Sequence, residues 1–106
     1  MSDNYRVIVT CPVELAATAS AIGRALDIDV GGADSFVERD GMLVAQTWAS
    51  EAFAFMFQYL LTNPPGLHMA VAADFAARWP DLESPDLPAV ETFCQAATMT
   101  ILPPLA

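Results

Sequence analysis

The residues able to do chemistry near neutral pH are few: two cysteines, Cys11 and Cys94, and a single histidine, His68. Cys11 stands where the strand-like run 5–10 gives way to Pro12, and proline is favoured at a first helical position. A helix N-terminus stabilises a thiolate through its dipole and free amides, which makes Cys11 a candidate nucleophile. Cys94 is remote in sequence, and the pair has neither metal-knuckle nor redox-motif spacing. His68 follows the Pro64-Pro65-Gly66 turn, and any acid-base scheme would lean on it. Neither residue has a base or a metal partner beside it in sequence. No phosphate loop, HExxH, GxSxG or paired-cysteine motif occurs. No catalytic residue and no cofactor is therefore assigned, and the ordinary reading is a buried Cys11 and an exposed or structural His68.

A second pattern is built from oxygen ligands. Asp27, Asp29, Asp34 and Glu38 surround Gly31-Gly32 after a helical stretch. Numbered as a twelve-residue loop, the segment has acids at positions one, three and twelve, glycine at six and Ser35 at nine. Over those residues it resembles an EF-hand calcium loop, and the resemblance implies calcium held by Asp27, Asp29, Asp34 and Glu38. The pattern departs at position five, where Gly31 replaces a ligand, and at position eight, where Asp34 replaces an apolar residue. Asp40-Gly41, a hairpin turn signal, also occupies the place of the second helix. Solvated acids on a glycine loop are the expectation, with no metal assigned.

Those residues are positioned by elements that the apolar pattern makes legible. Residues 5–10 read as a strand, and 12–26 as a helix with Leu15, Ala19, Ile22 and Leu26 on one face. Residues 35–39 and 42–48 flank Asp40-Gly41 as a hairpin. Its register sets Val37 opposite Val44 and Phe36 opposite Ala45, so both faces of the hairpin are apolar and both need a cover. Ser50 is the expected N-cap of a helix over 51–61, with Phe53, Met56, Phe57, Leu60 and Leu61 inward and Glu51, Ala54, Gln58 and Thr62 outward. Phe55 and Tyr59 fall at the polar edge of that helix, as an exposed strip or beneath a later helix.

Residues 67–79 read in two ways. Alanine content favours a helix with Asp74 and Arg78 paired at i, i+4 and Met69, Ala72, Ala73 and Ala76 opposite. Alternation of Leu67, Met69 and Val71 would instead give the fourth strand of a ferredoxin-like β-α-β-β-α-β order. A polar connector covers 81–88, and a last helix covers 87–99 with Val90, Phe93, Cys94, Ala97 and Ile101 on its face. The tail after Pro103-Pro104 is expected to fray. The fold class is α+β, one domain over 1–106, in the order β-α-β-β-α-α-α. The ferredoxin-like alternative adds a C-terminal helix. A right-handed crossover through the first helix is expected if the first two strands are parallel neighbours.

Composition narrows the function classes. The chain is 55% hydrophobic and 16% charged, with thirteen acids, four arginines, no lysine and a net charge of −9. Nucleic acids and anionic membranes are bound by neutralising phosphates, and this chain has little to offer either. No apolar run reaches the roughly 18 residues of a membrane span, and the first residues lack a signal-peptide pattern. Cytoplasmic location is the expectation, and the alanine-rich, lysine-free composition suggests a GC-rich bacterial or phage gene. A domain this small buries only about two thirds of its unfolded surface. The apolar surplus therefore points to a non-catalytic protein-interaction domain and a homo-oligomer, with Phe55, Tyr59 and one hairpin face as the contact. A basic protein is the other partner class that the acidic surface favours. The competing readings are a small ferredoxin-like enzyme or ligand-binding domain using Cys11 and His68, and an acidic inhibitor that mimics nucleic acid.

Overall fold

The computed structural model describes residues 4–25 and 36–104. Asp27, Asp29 and Asp34, the Gly31-Gly32 loop and Leu26 at the expected end of the first helix lie outside the described residues. The chain runs β1 (Tyr5–Pro12), a 3-10 turn (Val13–Leu15), α1 (Ala16–Ala25), β2 (Phe36–Arg39), β3 (Met42–Ala49), α2 (Glu51–Leu61), α3 (Pro64–Arg78), α4 (Leu87–Ala96) and β4 (Thr98–Leu102). This is the α+β class and the β-α-β-β-α-α-α order, extended by a fourth strand.

The sheet is antiparallel throughout, with spatial order β2-β3-β1-β4. β1 and β2 run parallel but are not neighbours, because β3 lies between them and pairs with both. The arrangement is a split βαβ sheet. Its last strand is reached after three helices, and residues 67–72 are helical.

Local chemistry sets the hairpin. Asp40 and Gly41 have φ of 53° and 80°, the paired left-handed conformation of a two-residue turn. Gly41 meets no steric cost there, and Asp tolerates it better than most residues. The resulting register is the expected one, Val37 opposite Val44 and Phe36 opposite Ala45.

Helix starts are also local. Ser50 Oγ accepts from the Phe53 amide at 3.2 Å, and Asp86 Oδ1 accepts from the Ala89 amide at 2.9 Å. Each cap satisfies one of the free donors of a first turn. α3 begins on Pro64-Pro65, where a missing N–H costs nothing.

Three expectations need correcting. The last helix stops at Ala96 rather than Met99, and Thr98–Leu102, expected to continue its face through Ile101, forms an edge strand on β1. Thr-Met-Thr-Ile-Leu is β-branched and alternating, and Pro103-Pro104 cannot continue a helix. In α2 Phe53, Phe57, Leu60 and Leu61 face the core as expected, but Ala54, expected outward, is buried and Met56, expected inward, is 45% exposed, a small rotation from the expected phase. The small Ala54 takes the buried position, and the longer Met56 is left outside the core. In α3 the inward face is Leu67, Val71 and Phe75, at steps of four, and Met69 is 71% exposed. The three larger side chains bury more apolar area than an alanine face can and so choose the phase. Asp74 and Arg78 do pair, at 3.4 Å.

The core lies between the helices and one side of the sheet. Val7, Val9 and Cys11 of β1 and Leu43 and Ala45 of β3 meet Ile22, Phe57, Leu67, Val71, Val90 and Phe93. No helix among the described residues is long and apolar enough to cross a membrane.

Candidate functional site

Strand alternation decides which side chains the helices cover. On β1 the residues Val7, Val9 and Cys11 point inward, so Arg6, Ile8 and Thr10 point to the other side. On β3 the inward set is Leu43, Ala45, Thr47 and Ala49, leaving Met42, Val44, Gln46 and Trp48 outward. Register adds Val37 and Arg39 from β2 and Thr98, Thr100 and Leu102 from β4. None of these outward residues joins the buried cluster or packs against it. Among the described residues the sheet therefore has an open face, and Trp48 and Val37 stand 52% and 53% exposed on it.

That face is also electrostatically distinct. Within the four strands it carries two arginines and no carboxylate, since Glu38 falls on the opposite parity of β2. The four arginines of the chain divide in two. Arg24 and Arg78 lie over the ring of Trp79, at 5.7 and 4.3 Å from its centroid, on the helix layer. Arg6 and Arg39 line one hollow of about 450 Å³ on the open face, together with Val37, Val44 and Gln46. Arg6 donates through Nη2 to Gln46 Oε1 at 2.6 Å, which holds it across β1 and β3. Its Nε is closed off from solvent and has no acceptor.

The residues singled out in the sequence are scattered by the fold. Phe55 and Tyr59 are exposed, at 46% and 62%, but on the helix layer. Phe55 stands edge-on to Tyr5, with ring centroids 5.8 Å apart, and Tyr5 faces inward on β1. The aromatic strip and the apolar hairpin face thus lie on opposite layers and do not make one patch. Tyr5 Oη donates to Glu51 at 3.3 Å, and desolvation together with that carboxylate raises the tyrosine pKa.

Cys11 is fully buried under the helices, and burial pushes its thiol up. Its environment opposes the thiolate that a strand-to-helix junction was expected to favour, because β1 carries the residue into the core before any helix begins. Cys94 is half-buried and shifted in the same direction. His68 is half-buried in the first turns of α3. Glu38 is exposed on β2, and its three partners in the calcium-loop pattern are outside the described residues. Among the described residues no group of three His, Cys, Asp or Glu is placed to hold a metal ion.

The hairpin half of the open face is legible in the sequence, whereas Arg6, Gln46 and Trp48 were missed as members of it. Parity from Val44 would have placed Gln46 and Trp48 there. Arg6 needed the pairing of β1 with β3, which no local signal carries. No family model, curated protein or solved structure matches this chain.

Proposed function

We propose that this chain is a non-catalytic interaction domain that self-associates by stacking the open faces of two sheets. The observation that carries this is the one-sided cover of the sheet: Ile8, Val37, Val44, Trp48 and Leu102 form an outward apolar set that none of the described helices covers. Two twisted sheets pack face to face at about 10 Å, and alternating apolar residues of this kind are what interdigitate between them.

Magnitude decides what kind of association to expect. Strands about 4.8 Å apart with about 3.3 Å per residue give the four strands roughly 400 Å² in projection. A standard interface takes about 800 Å² of accessible surface from each partner. The face is therefore small, and association is weak and concentration-dependent. The exposed strip of Phe55 and Tyr59 is a second apolar surface, and its position on the helix layer makes it a control for the first.

Sedimentation over a wide concentration range tests the proposal with Val37→Asp on the sheet and Phe55→Glu on α2. The wild type and Phe55→Glu increase in mass with concentration, while Val37→Asp stays a monomer with an unchanged melting temperature. A wild type that remains monomeric throughout removes the proposal. Loss of association in Phe55→Glu but not in Val37→Asp moves the contact to the helix layer.

A further inference from the structure

In a chain of net charge −9 with four arginines and no lysine, two of the four share a hollow on a face to which the four strands contribute no carboxylate. Both belong to a single protomer, so no second copy is needed to bring them together. Arg39 is in register with Met42 and Arg6 with Trp48, on the two flanks of β3. Six residues of β3 separate those positions, roughly 20 Å along the strand. The two side chains nonetheless line the same hollow, so they reach toward each other from its ends over Val37, Val44 and Gln46. The result is a short apolar floor with a guanidinium at each end.

We propose that this hollow binds a small linear dicarboxylate. Each guanidinium presents a fork of N–H donors that matches a carboxylate, and methylenes between the two acids lie over the valines. Arg6 is already oriented by Gln46 at 2.6 Å, which reduces the ordering that a ligand must impose. A volume of about 450 Å³ falls within the range of small-molecule sites, roughly 300–1,000 Å³. A compact inorganic anion meets one guanidinium and gains nothing from the apolar floor, so the pairing of two cations across valines selects a linear diacid over sulfate or phosphate. Where two open faces stack, the same anion supplies the counter-charge that the strands of neither sheet face contribute.

Calorimetry with adipate on the full chain, supported by amide chemical shifts, tests the site. Adipate is expected to bind one per protomer and to shift the amides of β2 and β3 on either side of Val37 and Val44. Arg39→Gln and Arg6→Gln should each weaken it by about tenfold. Hexanoate, with one acid, binds more weakly, and dimethyl adipate does not bind. Arg39 is exposed, so Arg39→Gln keeps the fold, and its melting curve without ligand should match the wild type. The proposal is overturned if adipate gives neither heat nor shifts at millimolar concentration, or if both arginine variants bind it as the wild type does. Equal binding of sulfate overturns it too, reducing the site to an adventitious ion only. Adipate binding by a protein that stays monomeric at every concentration upholds the site and removes the self-association reading instead.

Discussion

Val37 and Val44 face each other across the β2–β3 ladder on the side of the sheet that the helices leave open. One residue further along each strand, Phe36 and Ala45 face each other on the covered side, against the core. The hairpin is thus apolar on both faces, and its register decides which pair meets the helices. Trp48 lies on the open face with Val44, half exposed, whereas Trp79 packs edge-on against Phe75 at 5.3 Å. With Trp79→Phe as background, the emission of Trp48 is expected to shift to the blue as concentration rises. Emission that is constant from micromolar to millimolar protein would show that the open face stays wet.

The phase of α2 gives a sharper stability contrast. Phe57 is buried and its neighbour Met56 is 45% exposed. Phe57→Ala should cost about 3–5 kcal/mol through lost burial and the cavity it leaves. Met56→Ala should change stability by less than about 0.5 kcal/mol. Urea unfolding of the two variants reads the difference, and similar midpoints would mean that α2 is rotated from the phase described.

β4 offers a test of the edge of the sheet. Ile101 pairs with Val7, Met99 pairs with Val9, and both pack on the core from the far side of β1. A chain ending at Ala97 would lose that ladder and uncover Val7 and Val9. It is expected to unfold well below the wild-type temperature, with loss of amide dispersion in its NMR spectrum. A truncated chain that melts with the wild type would mean that these residues are dispensable.

Burial of the thiols predicts an alkaline limit to stability. Cys11 and Cys94 are both raised by burial, so the folded chain keeps protons that the unfolded chain loses. Their contribution is complete below the ordinary thiol range and is lost as pH rises through the raised folded values. Tyr5 acts with the same sign at higher pH, which makes Tyr5→Phe the necessary background. Unfolding free energy should therefore fall between neutral and alkaline pH, and fall less in Cys11→Ala. In the native state Ellman's reagent should reach Cys94 well before Cys11. Rapid modification of Cys11 at neutral pH would contradict its place in the core.

Much of this protein was legible residue by residue, and the reason is that the signals involved are local. Asp40-Gly41 turns the hairpin because of its own backbone preferences, and the turn then sets the register of the next few residues. Ser50 caps α2 because its hydroxyl reaches an amide three residues away. What only the tertiary structure decided are relations between distant segments. The sequence 98–102 reads equally as a helix end until β1 offers it an unpaired edge. Ala54 rather than Met56 lies in the core, a choice made by how α2 packs on its neighbours and not by its own periodicity. Arg6 and Arg39 share a hollow because β3 comes between β1 and β2, and no periodicity within either strand records which neighbour the sheet will choose.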